Sequence, residues 1–319
     1  MREGTPGGVL FLVLGREARG ATAQTFEYRE AMGSCPQNPL LFLPNSIIIY
    51  TELIYAEGNA LELNVLAVGD VVSQAGLDFL SRRLRQIKRE HDVHFTVVNG
   101  ENAAGVGLYP SQAEDILDAG ADVVTLGNHT WSKMQIANYL EDAPCVLRPA
   151  NFAANVPGRG WGVFDGPRGL RIGVMNLIGR LDMNPNVENP FTAADRLLAQ
   201  NEADIVLVDF HAEATSEKLA LGWYLDGRVS ALWGTHTHVP TADTKILPKG
   251  TGHVTDLGMT GPAQSILGIR PAQSINLFLG GLPQRYEAAG GKCKLEAVLF
   301  TIDANTKRCT RVERVDVQE

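Results

Sequence analysis

From Leu63 to the C-terminus, short apolar runs alternate with stretches whose apolar positions recur every three or four residues, the pattern of a sheet layered with helices. The runs at 63–69, 94–99, 122–126, 171–177, 204–210 and 229–234 are expected as strands. Two later runs, 295–302 and 308–317, flank the turn-forming triplet Asp303-Ala304-Asn305 and are expected to close as a hairpin. Between strands, Leu77, Leu80, Leu84 and Ile87 fall on one helical face. Ser111 with Glu114, and Ser132 with Gln135, have the spacing of capping boxes, and Gly120 stands where a helix C-terminal glycine belongs.

Residues 1–62 lack this order. An apolar fragment, a polar stretch and a Cys-Pro-Gln-Asn-Pro turn signal lead into a β-like run from Ser46 to Tyr55. We read 1–62 as an N-terminal extension outside the main fold and 63–319 as one domain with no internal repeat. The run GVLFLVLG at 8–15 imitates the apolar part of a signal peptide, but Glu3 and the charged stretch from Arg16 to Arg19 fit that pattern poorly, so secretion is disfavoured.

Composition narrows the class. With 319 residues, 45% hydrophobic and 20% charged, the chain suits a globular α/β protein. A net charge of -8 argues against stable gripping of a nucleic-acid backbone, which needs many cationic contacts. No apolar stretch reaches the roughly 18 residues of a membrane-spanning helix. Cys35, Cys145, Cys293 and Cys309 show no C-x-x-C spacing and read as free thiols of a reducing cytoplasm. Assembly into a homo-oligomer is compatible with all of this.

The chemistry lies where the apolar runs stop. They end in small polar motifs: GD at 69–70, NGEN at 99–102, GNH at 127–129, DFHAE at 209–213 and GTHTH at 234–238. Ligands of α/β sheets bind outside the carboxyl ends of strands, so the five motifs are expected to meet in one crevice. Each alone is weak, since an aspartate after a strand is usually a turn residue. Together they gather Asp70, Glu101, Asn102, Asn128, His211, His236 and His238, a donor set for metal ions.

His236 and His238 would share one face if the strand continued, whereas a turn from Gly234 would aim them at different ions. Glu101 and Asn102 can both contribute only if the chain turns there, which Gly100 would permit.

Two divalent ions would bring about +4 against about -2 from Asp70 and Glu101, leaving roughly +1 after one hydroxide, a site that favours an anion such as a phosphodiester. Paired ions roughly 3.5–4 Å apart activate water and clamp an in-line displacement. The expected reaction is therefore attack of a metal-activated hydroxide on a small phosphodiester. His129, next to Asn128, is placed to protonate the departing oxygen; the alternative is that it only orients Asn128. A phosphomonoesterase or nucleotidase, and a non-catalytic regulatory metal protein, remain alternatives. The donor set suits iron, manganese and zinc alike.

GVG at 105–107 is too short for a dinucleotide fingerprint and is expected as a loop beside the site. The run from Glu213 to Arg228 reads as an amphipathic helix, with Asp226 and Arg228 as a candidate substrate or subunit contact. Arg148 is either part of a turn with Pro149 or a phosphate contact.

From about Leu63 onward the chain resembles the YmdB-like branch of the calcineurin-like metallophosphoesterases. The likeness is carried by VGDVV (68–72), NGENAA (99–104), TLGNHTW (125–131), RPANF (148–152), VDFHAEATSEKLALGWYLDGR (208–228), GTHTHVPTAD (234–243), ILPKGT (246–251) and TDLGMTGP (255–262). Ser73 and Leu77 depart from it, standing where that family carries Gly and Arg. The resemblance implies a four-layer α/β/β/α sandwich with two stacked mixed sheets. It implies two metal ions, iron foremost, with Asp70, Glu101, Asn102 and His238 on one ion, Glu101 bridging, and Asn128, His211 and His236 on the other. It also implies His129 as proton donor and hydrolysis of 2',3'-cyclic nucleotides to 3'-nucleotides.

Overall fold

A computed structural model of the chain describes residues 62–183 and 186–319. The run Ser46–Tyr55, the 8–15 stretch and Cys35 lie outside the described residues, as does the proposed extension up to residue 61. In order the elements are β1 (Glu62–Val68), β2 (Asp70–Val71), α1 (Ser73–Glu90), β3 (Phe95–Asn99), α2 (Pro110–Ala119), β4 (Val123–Thr125), α3 (Gln135–Asp142), β5 (Val146–Leu147), β6 (Trp161–Asp165) and β7 (Arg171–Ile178). There follow α4 (Pro190–Leu198), β8 (Ile205–His211), α5 (Thr215–Leu225), β9 (Ala231–Thr235), β10 (Lys245–Ile246), β11 (Gly252–Val254), β12 (Met259–Pro262), α6 (Pro271–Phe278), β13 (Cys293–Asp303) and β14 (Arg308–Gln318).

The strands form an 8-stranded mixed sheet, β2-β12-β13-β1-β3-β4-β5 with β14 on β13, and a 6-stranded sheet, β10-β11-β9-β8-β7-β6. The period of 2 along β1 sorts its side chains into two cores. Leu66 and Val68 pack with Leu77, Leu80 and Leu84 of α1 and Ile116 of α2. Leu63, Val65 and Ala67 face the other way, against Ile172, Leu207 and Trp233 of the second sheet. The far face of that sheet, with Leu177, Val208 and Phe210, is covered by Ala193 of α4 and by Leu221 and Leu225 of α5. Three apolar seams thus separate four layers, helix, sheet, sheet and helix, as expected.

The expected strands agree to within two residues, and Asp303 closes the β13–β14 hairpin by accepting the N–H groups of Asn305 and Thr306. Neither capping box forms as written. Pro110 starts α2, and Gln112 reaches back to the Tyr109 N–H at 3.2 Å, because proline at the first helical position moves the boundary ahead of Ser111. Ser132 lies in a separate 3₁₀ turn, Thr130–Ser132, and Gln135 begins α3 with no side-chain cap. Gly120 does take the left-handed C-terminal conformation, φ 117°.

Helix α5 departs from a simple amphipathic helix. Leu221 and Leu225 face the sheet while Trp223 and Tyr224 are exposed on the other side. Asp226 is buried and accepts N–H bonds from Lys249 and Thr251, and Arg228 binds Asp195 and lies over the Tyr224 ring, so both serve the fold. Arg148 is likewise structural: its buried guanidinium donates to the carbonyls of Pro149, Val156 and Pro157. Ser73, standing in the place of the family's glycine, has φ 65°, and Leu77 is buried in the helix–sheet seam.

Candidate metal centre

Parallel strands β1, β3 and β4 of the first sheet and β8 and β9 of the second all end at the same edge of the sandwich. Their carboxyl ends bring together all seven expected ligands and His129. Asp70 and Glu101 are fully buried, as is His211.

The side chains fall into two groups that share Glu101. In the first, His238 Nε2 lies 3.7 Å from Asp70 Oδ1 and 3.2 Å from Asn102 Nδ2, while Asn102 Nδ2 is 3.1 Å from Glu101 Oε1. In the second, His211 Nε2 lies 3.1 Å from Glu101 Oε1, 2.9 Å from Asn128 Oδ1 and 3.1 Å from His236 Nδ1. One ring nitrogen has one proton or one lone pair, so it cannot satisfy a carboxylate, an amide oxygen and a second imidazole together. Donor atoms of Glu101, His211 and His236 within 4.8 Å of one another are what a cation requires. Asp70 Oδ1 is buried with no hydrogen-bond partner, an orphan that a cation would satisfy. The residues therefore fit metal ions.

Of the two expectations for the GTHTH segment, the turn is realised. His236 and His238 have φ 102° and 62°, off any strand, and point into different groups. The strain is held by Asp70 Oδ2, which accepts the His236 N–H at 3.2 Å, and by Asp256 Oδ2, which accepts the Thr237 N–H at 3.2 Å. The chain also turns after Asn99, where the Ala103 N–H bonds the Gly100 carbonyl. Gly100 is needed for closeness rather than for an unusual φ: a β-carbon there would lie 2.8 Å from Val124 and 2.9 Å from Ile116. Gly127 is constrained in the same way, because its missing β-carbon leaves room for the His211 ring and the Glu101 carboxylate.

Charges in the centre are strongly coupled. Burial raises the Asp70 carboxyl, but its contacts with His238 and His211 more than reverse this and hold it below the usual range. Glu101 is likewise raised by burial and brought down overall by His211. Burial lowers His211, and Glu101 then lifts it to about 9, while burial and the neighbouring His211 take His236 down to about 4.

Three participants lie within the quoted motifs but outside the expected ligand set: Asp209, Thr235 and Glu213. Asp209, buried inside β8, is pushed up to about 6 by burial. It accepts the Thr235 hydroxyl at 2.7 Å, and Thr235 Oγ1 in turn lies 2.9 Å from His211 Nδ1. That chain fixes Nδ1 of His211 as the protonated nitrogen and turns Nε2 toward the centre. Glu213, at the end of the quoted DFHAE motif, places Oε2 3.0 Å from His236 Nε2. Its position on the same motif as His211 was the available signal.

His129 is half-buried; its N–H donates to Glu101 Oε2 at 3.1 Å and its Nε2 lies 3.3 Å from Asn128 Nδ2. Together with Glu101, Asn102, His236 and His238 it lines an open cleft of about 690 Å³. Gly105 and Val106 of the GVG segment also line it, as a loop, in agreement with the sequence reading.

The chain is 45% identical over 260 residues to the 2',3'-cyclic-nucleotide 2'-phosphodiesterase of Bacillus subtilis (strain 168), covering 81% of this chain and 98% of that protein. It is 37% identical over 265 residues to a putative phosphatase/phosphodiesterase of Mycoplasma pneumoniae, covering 81% and 94%. A crystal structure of a hypothetical protein from Thermus thermophilus superposes with a TM-score of 0.75 at 40% identity, over 81% of this chain and 100% of that one. That of a novel phosphatase from Mycoplasma pneumoniae gives 0.76 at 36% identity, over 81% and 94%. With residues 66–315 matching its family model, the chain belongs to the YmdB-like protein family.

Proposed function

We propose that this protein is a dinuclear phosphodiesterase that hydrolyses 2',3'-cyclic nucleotides to 3'-nucleotides. The observation that carries the reading is the convergence of Glu101, His211 and His236, with Asn128 and the orphaned Asp70 oxygen beside them, at the floor of a cleft. The name of the Bacillus subtilis relative supports the substrate class. Asp70, Glu101, Asn102 and His238 would hold one ion, and Asn128, His211 and His236 a second, with Glu101 shared. Bound ions would supply positive charge for the phosphate and an acidified water at neutral pH. The mixed nitrogen and oxygen donors suit iron, manganese and zinc alike, and the family resemblance puts iron first.

The protein's own contribution is orientation and one proton. Asp209 and Thr235 hold the tautomer of His211. His129, tied by its backbone to Glu101 and facing the cleft, donates a proton to the departing 2'-oxygen. The free thiols of Cys145, Cys293 and Cys309 fit work in a reducing cytoplasm. Among the described residues no helix is long and apolar enough to cross a membrane.

Hydrolysis of 2',3'-cyclic AMP and of p-nitrophenyl phosphate, each with Mn²⁺ or Fe²⁺, tests the reading. Preference for the cyclic diester is expected. Faster turnover of the monoester would replace the proposal with a phosphomonoesterase on the same centre.

A further inference from the structure

The floor of the cleft is polar, and its lining adds an apolar group to charged residues such as Lys133, Arg285 and Glu287. Val106, Leu267, Ile269 and Tyr286 all line it, and Val106, Leu267 and Tyr286 are 47%, 45% and 43% exposed. Side chains of this kind gain by burial, so their presentation around a polar site calls for a ligand with an apolar face.

The segment carrying Tyr286 is built rather than loose. The Arg270 N–H donates to the Glu287 carbonyl at 3.1 Å and the Ala289 N–H to the Gly268 carbonyl at 2.9 Å. Gln273 clamps both neighbours of Tyr286, its Nε2 donating to the Arg285 carbonyl at 3.0 Å and its Oε1 accepting the Glu287 N–H at 2.8 Å. An ion pair of 2.7 Å between Arg270 and Glu287 closes the same connection. Within this frame the Tyr286 side chain makes no hydrogen bond or aromatic contact to another described residue. A partly exposed ring, held by its backbone on both sides and lining the same cleft as Leu267 and Ile269, is the arrangement on which a planar heterocycle stacks.

Resting on the cyclic-nucleotide reading above, we propose that Tyr286, with Leu267 and Ile269 of the same cleft lining, is the platform for the nucleobase and that this wall sets the preference of the enzyme for nucleosides over base-free diesters. The division of labour follows from the cleft itself: the phosphate belongs to the charged floor, and the base to the apolar group around Tyr286.

The test compares kcat and KM of the metal-loaded wild type, Tyr286→Phe and Tyr286→Leu on 2',3'-cyclic AMP and on ribose 2',3'-cyclic phosphate, which lacks the base. Loss of one stacking partner is expected to raise KM for the nucleotide about tenfold in Tyr286→Leu, from the usual strength of base–aromatic stacking. Its kcat and both constants for the base-free diester are expected to stay within about twofold, and Tyr286→Phe to behave as wild type. An unchanged KM for the nucleotide in Tyr286→Leu, or an equal rise for both substrates, would overturn the platform while leaving the metal-centre reading intact. A wild type that hydrolyses p-nitrophenyl phosphate but neither cyclic ester would overturn the substrate reading and the platform with it.

Discussion

The Nζ of Lys218 lies 2.6 Å from Oδ2 of Asp256, and both side chains are buried. Asp256 is also the acceptor for the N–H groups of Thr237 and Gly258, and Thr237 is the residue between His236 and His238. An ion pair on helix α5 is thereby connected to the strained turn that presents two histidines to the candidate metal centre.

Lys218→Met leaves the Asp256 carboxylate buried without its counter-ion, a change that costs about 3–5 kcal/mol. Urea unfolding is expected to show that loss. Metal titration of the folded variant by calorimetry is expected to show weaker binding, because the turn loses its anchor. Undiminished metal affinity would show that the pair serves the fold alone.

Ser73 occupies the left-handed region at φ 65°, at the start of α1, and its buried hydroxyl has no partner among the described residues. A residue with a β-carbon is disfavoured there by roughly 1–2 kcal/mol, and glycine gives back part of that in unfolded-state entropy. Ser73→Gly is expected to stabilise the chain by about 0.5–1 kcal/mol, read as a shift of the urea midpoint. A destabilised variant would contradict the strain.

His129→Ala is expected to keep its metal while losing roughly 10²- to 10⁴-fold in turnover of 2',3'-cyclic AMP. Elemental analysis beside the kinetic assay separates the two effects. An unchanged rate would leave His129 only the task of orienting Asn128, and would favour a regulatory metal protein if the wild type were equally slow.

His253 is buried with neither ring nitrogen bonded, and burial takes it down from 6.5 to about 4. Between those values the unfolded chain binds a proton that the folded chain refuses, so stability falls as the pH is lowered from about 6.5 toward 4. The contribution is on the order of 3 kcal/mol. Stability measured against pH should fall less steeply in His253→Phe than in the wild type over that window. Parallel curves would show that other groups control acid unfolding.

Much of the sandwich was legible because its apolar runs are followed by small polar motifs: β1, β3, β4, β8 and β9 each carry their ligands at the end where α/β sheets bind them, although β4 itself has only three residues. The short strands β2, β5, β10, β11 and β12 have two to four residues each, too few to show a period. Ser111 and Ser132 had the right spacing for caps, but Pro110 and the 3₁₀ turn at Thr130 decided where the helices begin. Asp209 and Thr235 were hidden inside strands, where a polar residue acquires meaning only from its neighbour across the sheet. Lys218 was hidden for the opposite reason: on a helix a lysine reads as a solvated charge until its partner Asp256 is placed beside it.

The central claim is that two cations share the carboxylate of Glu101. Anomalous diffraction from crystals of protein purified without chelator, together with elemental analysis, measures this directly. Two metal peaks per chain are expected, one among Asp70, Asn102 and His238 and one among Asn128, His211 and His236, with Glu101 reaching both. A single peak, or ions bound away from these residues, would contradict it.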